Sequence, residues 1–271
     1  MSQSDFARVS VADFVERFRA EMVPLSNTFS FFFAGIPLSD EDVKEYLEEP
    51  IAALPPEVVK ILPKTHVILV PYLERANGKE KRHGAQAPGS REIIALEPPA
   101  ESKSLTHLHL RNSHGADLVF AIKDTEVADY HYYFYQQVAA LAEAALSESA
   151  RAEYHGILAE ELSARVHGEV DEESWRQKMA LRRGNKVRRD TKAFRAYASR
   201  SFIDTATLYL HGICCDIDVE TGPRQLPSRH LRKRLLWLEG VYPPPSGYAV
   251  FPEELNETPQ NSPAPKAQLS S

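Results

Sequence analysis

The sequence predicts an α+β fold, with a small, mostly antiparallel sheet of about four strands over residues 65–123 packed against a helical C-terminal half, about 125–240. Three observations carry this. Short apolar runs bounded by turn residues crowd into 65–123. Apolar residues recur at helical spacing over long stretches beyond 125. Strand-like segments come first and helical ones after, instead of alternating.

Ser10 opens the first helix, with Asp13 three residues on and Val11, Phe14, Val15 and Phe18 on one face. Residues 28–36 hold Phe29, Phe31, Phe32 and Phe33 and read as a buried extended segment. Ser39 starts a second helix that Pro50 is expected to stop, and Pro55-Pro56 opens a short third. The strands follow at 66–73, 92–97, 105–111 and 117–123, with a long polar loop over 75–90. The helices expected next run from Asp124 or Thr125 to about Leu146, over 151–166, over 172–181, from Thr191 to about Cys215, and a short one from Ser228. The stretch from Phe202 to Cys215 is apolar on most faces and suits a central core helix.

The chain has 271 residues, 43% hydrophobic and 26% charged, enough to bury a core without disulfides or metals. Residues 1–252 read as a single domain, and 253–271 as a disordered tail poor in apolar side chains. No run of 18 apolar residues exists, so no membrane partner is expected, and residues 1–10 lack a secretion signal. The two cysteines, Cys214 and Cys215, are adjacent and would bridge only with strain, so they read as reduced core thiols. Together these features predict a cytoplasmic protein.

The sharpest local motif is Thr106-His107-Leu108-His109-Leu110. On a strand, His107 and His109 share a face about 7 Å apart, a workable pair of metal ligands. His114 in the adjoining turn would be a third, and a divalent ion would be the cofactor. The plain alternative is two solvent-side histidines on a half-exposed sheet. The second motif lies in the apolar helix, where Asp204 and His211 are two turns apart on one face and Arg200 precedes Asp204 by one turn. A buried carboxylate needs a partner, so this is either a structural ion pair or a source of a ligand or general base. His131 and His155 read as packed histidines.

Charge is uneven. Residues 176–200 carry ten basic side chains against Asp190 alone, a net +9, so a total of −6 leaves −15 for the remainder. Arg182, Arg183, Lys186, Arg188 and Arg189 would offer a surface to an acidic or phosphate-bearing partner, nucleic acid included, and the run Arg224 and Arg229–Arg234 could join it. The alternative is a solvated face balanced by neighbouring acids. The scarcity of interleaved aromatics and the pI of about 6.0 speak against nucleic acid.

Several signatures are missing. There is no phosphate-binding Gly-x-x-x-x-Gly-Lys loop, no Gly-x-Gly-x-x-Gly and no Gly-x-Ser-x-Gly. Strands followed by a helix resemble the layout of zincin metallopeptidases, yet the helix that should carry His-Glu-x-x-His reads His131-Tyr132-Tyr133-Phe134-Tyr135. The glutamate base and second histidine are lacking, so membership is not assigned and a catalytically degenerate relative is the most the layout implies. The leading expectation is a metal-dependent hydrolase-like protein with His107, His109 and His114 on the metal and Asp204 and His211 in catalysis. The alternative is a non-enzymatic module acting through the basic segment.

Overall fold

The computed structural model describes residues 9–76, 91–113, 115–184, 191–214 and 224–251. The expected tail, most of the 75–90 loop, His114, Lys186, Arg188, Arg189 and Cys215 lie outside these residues.

The α+β class holds, with the long helices gathered in the C-terminal half. A four-stranded antiparallel sheet consists of β1 (Val9–Ser10), β6 (Glu92–Ala95), β5 (Tyr72–Arg75) and β7 (Ser104–Leu105), in that order. A second, mixed sheet runs β2 (Val23–Pro24), β3 (Phe29–Phe33), β4 (Thr65–Val70), β9 (Gly115–Ala121) and β8 (His107–Asn112). Its three central strands, β3, β4 and β9, are parallel, and β2 and β8 run antiparallel at the edges. The single strand expected at 66–73 is therefore two strands in different sheets. They part at Pro71, which has no N–H to give a ladder.

The central strands are covered on both faces, as parallel strands usually are. One face, with Phe32, Ile68, Val70 and Val119, packs on helix α1 (Val11–Phe18). The Phe32 ring lies 5.0 Å from Phe18 and 5.9 Å from Phe14. Helix α1 starts where the sequence places it, because the Ser10 hydroxyl accepts the Asp13 amide at 3.2 Å. The opposite face, with Phe31, Val67, Leu69, Leu118 and Phe120, belongs to the larger core shared with the helical half.

The helix after Ser39 does not stop at Pro50. It begins as α2 (Asp40–Val43), widens to a π-helical turn over Lys44–Glu48, and continues as α3 (Glu49–Ala52). In that turn the Glu49 amide bonds back to the Lys44 carbonyl, so the next carbonyl, that of Glu45, would need the N–H that Pro50 lacks. His131 fills the gap through Nε2, 2.9 Å from the Glu45 oxygen. Tyr135 donates to the Pro50 carbonyl at 3.1 Å. Helix α4 (Pro56–Ile61) follows and leads into β4.

Helix α5 (Val127–Ala145) lies against the long helix α8 (Lys192–Cys214), and α6 (Glu148–Ser163), α7 (Glu172–Arg183) and α9 (Ser228–Val241) complete the helical half. Within this half is a fully buried ionic cluster. Arg234 of α9 and Lys178 of α7, both 0% exposed, meet Glu161 and Glu169. Arg234 Nη1 donates to Glu169 Oε2 at 2.7 Å and Nε to Glu161 at 3.0 Å, while Lys178 Nζ donates to Glu169 at 2.9 Å and to the Gly168 carbonyl at 2.8 Å. Tyr197 also donates to Glu169. Two carboxylates and two cations balance in charge, which such deep burial requires. Gly168 permits the approach: it has φ +83°, and a Cβ there would fall 2.0 Å from the Gln225 carbonyl oxygen.

Candidate functional site

A polar residue stands at the second or third position of each of the three central parallel strands: Ser30 in β3, His66 in β4 and Asp117 in β9. The register pairs Ser30 with His66 and His66 with Asp117, so the three stand side by side in one row. They lie at the α1 side of the sheet, in step with Phe32, Ile68 and Val119.

Asp117 is 1% exposed and is held by four donors. His66 Nδ1–H donates to Oδ1 at 2.6 Å. The two terminal nitrogens of Arg19, just beyond α1, reach one oxygen each at 3.5 Å. Asn112 of β8 donates to Oδ2. Burial by itself would push the Asp117 carboxyl up, but the His66 hydrogen bond and the Arg19 charge outweigh it and hold the group below its ordinary value. The ionised carboxylate in turn fixes the imidazole with Nδ1 protonated, turning Nε2 away from β9.

His66 forms part of the wall of a cavity of about 360 Å³, large enough for a small molecule. Two cations, Arg19 and Lys64, share the lining with it. Hydroxyls of Ser26, Thr28 and Ser30 and the amide of Asn27 supply the remaining polar groups. The rim is a tight turn. The Ser26 hydroxyl accepts the amides of Thr28 and Phe29 at 3.2 and 3.0 Å, and Lys64 Nζ donates to the Asn27 carbonyl. The Thr65 amide closes the turn on Thr28 O at 2.9 Å. At the same edge Gly115 has φ +138°, and a Cβ there would sit 2.0 Å from the Lys64 carbonyl oxygen, so only glycine lets β9 start beside Lys64.

The sequence-predicted residues fall elsewhere. His107 and His109 do share a face of β8, opposite Phe120 and Leu118 and turned toward the helical half. The His107 ring is 5.1 Å from Tyr133 of α5, and its Nδ1 meets the Thr106 hydroxyl at 3.0 Å. Burial holds both imidazoles below their ordinary values, His109 adding to the effect at His107 and Arg111 at His109. His109 Nε2 is buried without a hydrogen-bond partner.

Asp204 and His211 face α5 but do not join each other. His211 packs beside Tyr132 and Tyr135, with ring centroids at 6.1 and 5.9 Å, and its Nε2 is buried and unpaired. Asp204 pairs with Arg200, Nε to Oδ1 at 2.8 Å, the ion pair the helical spacing predicts. The two atoms are close but off the hydrogen-bonding direction, so the contact is an ion pair and leaves the carboxylate short of aligned donors. Burial pushes the Asp204 carboxyl up to about 6 against the pull of Arg200 and Ser174. Among the described residues, no three His, Cys, Asp or Glu side chains come together at metal-binding geometry.

Within the basic segment the described cations divide: Arg176, Arg183, Lys192 and Arg195 are exposed, while Lys178 is an interior member of the ionic cluster, as is Arg234 of the second basic run. Arg200 is engaged by Asp204 and Asp171, and Arg182 donates to the Val166 carbonyl at 2.8 Å. Among the described residues, no helix is long and apolar enough to cross a membrane.

Arg19, Ser30, His66 and Asp117 were missed from sequence. The available signal was a polar side chain at the second or third position of each apolar strand run, in FSFFF, THVILV and GADLVFA. No protein-family model, curated protein or solved structure matches this chain, so the assignment of the site rests on its own geometry.

Proposed function

We propose that the protein is an enzyme acting on a small anionic molecule, with His66 as its general base. The observation that carries this is the His66–Asp117 pair. A buried carboxylate fixes Nδ1, and the imidazole lines a cavity shared with Arg19 and Lys64. A positioned imidazole backed by a carboxylate is suited to proton transfer. Lys64 on the rim, bonded to a backbone carbonyl and to no carboxylate among the described residues, favours a carboxylate or phosphate on the ligand. Titration calorimetry with inorganic phosphate and with succinate tests the reading. Saturable binding is expected, weakened about tenfold or more in Lys64→Gln and in His66→Ala, since a charge-assisted contact contributes about 1.5–3 kcal/mol. Absence of saturable binding to folded protein, or binding indifferent to both substitutions, would overturn it.

A second reading keeps the metal-dependent hydrolase, with a divalent ion on His107 and His109. It is favoured by the unpaired, buried Nε2 of His109 and by burial that keeps both imidazoles neutral, the form that ligates. A bound metal would supply an acidified water. Elemental analysis of protein prepared without chelator, beside His107→Ala/His109→Ala, decides it. Near one equivalent of metal, lost in the variant, supports the site, and none in either folded sample removes it.

A further inference from the structure

We propose that Ser30 is a nucleophile, and that Ser30, His66 and Asp117 together perform acyl transfer on a small ester bearing an anionic group. The inference rests on the reading of His66 as general base and adds the reaction class.

The argument starts from the sheet. Neighbouring parallel strands are about 4.8 Å apart, and paired residues project to the same face. Ser30, His66 and Asp117 occupy one such row on three adjacent strands. The order matters, because the imidazole stands between the hydroxyl and the carboxylate. Its Nδ1 is committed to Asp117 at 2.6 Å, so Nε2 is directed toward the β3 side, where Ser30 lines the same cavity. Nucleophile, base and orienting carboxylate thus stand in the sequence that hydroxyl activation requires. The arrangement is recognised by roles and geometry, and it needs no nucleophile elbow. Ser30 and His66 make no direct hydrogen bond, and such bonds commonly tighten only with substrate in place.

The chemistry balances without a further reagent. Ser30 Oγ attacks the ester carbonyl carbon while its proton passes to His66 Nε2. The tetrahedral intermediate expels the alcohol, which takes that proton, and leaves an acyl ester on Ser30. Water then attacks the acyl carbon, gives its proton to His66, and releases the carboxylic acid as Oγ regains its hydrogen. Lys64 would hold the anionic end of the acyl chain, with Arg19 in the same lining.

The test uses two probes on the full-length chain: an ethyl fluorophosphonate read by intact mass and peptide mapping, and 4-nitrophenyl hydrogen succinate read as a nitrophenolate burst. Wild type is expected to carry one phosphonyl group on Ser30 and to release about one equivalent of nitrophenolate in the burst. Ser30→Ala should lose both, and His66→Ala should slow both about 100-fold or more. Folded wild type with neither adduct nor burst, an adduct at another residue, or equal rates in Ser30→Ala would overturn the nucleophile. If phosphate and succinate still bind in that case, the nucleophile alone fails. If they do not bind either, the His66 reading fails with it.

Discussion

Replacing Glu169 by glutamine should remove about 3 kcal/mol of folding stability at pH 7. The carboxyl is fully buried between Arg234, Lys178 and Tyr197, and it titrates at about 2 in the folded chain against an ordinary 4.5. Burial opposes this shift and the Arg234 charge and hydrogen bonds more than offset it. Roughly 2.5 pH units at about 1.36 kcal/mol each gives about 3 kcal/mol, within the range of about 3–5 kcal/mol for breaking a buried pair from one side. Lys178 sits in the same cluster, yet burial holds its ammonium below the ordinary value despite Glu169, so the favourable balance rests chiefly on Arg234. The sign follows from linkage. A carboxyl depressed in the folded state stabilises fully above its unfolded value and loses that contribution as pH falls from about 4.5 toward 2. Urea denaturation of wild type and Glu169→Gln at pH 7, and of wild type between pH 5 and 2.5, measures both. A loss under about 1 kcal/mol in the variant, or a wild-type stability flat across that acid range, would refute the reasoning.

Asp204 shows the opposite linkage. Its carboxyl is raised by burial to about 6, so its contribution to stability is full below pH 4 and lost as pH rises toward 6, about 3 kcal/mol in all. Thermal melts should therefore show wild type falling behind Asp204→Asn as pH goes from 4 to 7, and a constant gap would contradict the assignment. Gly115→Ala should cost about 3 kcal/mol by denaturation, since it adds a Cβ 2.0 Å from a backbone oxygen at a positive φ; a loss below about 0.5 kcal/mol would show that β9 can shift. His131→Phe should cost about 0.5–1.5 kcal/mol by removing the bond to the Glu45 carbonyl, and an unchanged midpoint in urea would argue against that role.

Much of the fold was legible because it is written locally. The Ser10 cap, the α1 stripe and the long apolar α8 each follow from neighbours within a few residues. The Arg200–Asp204 ion pair was visible for the same reason, as i,i+4 spacing is a local relation. What escaped is non-local. Parallel pairing of β3, β4 and β9 joins segments tens of residues apart, and only that register sets Ser30 beside His66 and His66 beside Asp117. The burial of Glu169 depends on Arg234, 65 residues away. Lys178 and Arg234 inflated the apparent basic surface for the same reason, since composition does not record which charges turn inward. His131 was readable as a packed histidine, but its task depends on the N–H missing at Pro50 on another element.

The most direct test of the central claim is imidazole NMR on uniformly ¹⁵N-labelled protein during a succinate titration. The account predicts one histidine with a protected Nδ1 proton, absent from spectra of His66→Ala, whose Nε2 resonance moves saturably with succinate while His107, His109 and His211 stay in place. A His66 imidazole that exchanges freely, or that is unmoved at saturating succinate while another histidine shifts, would contradict it.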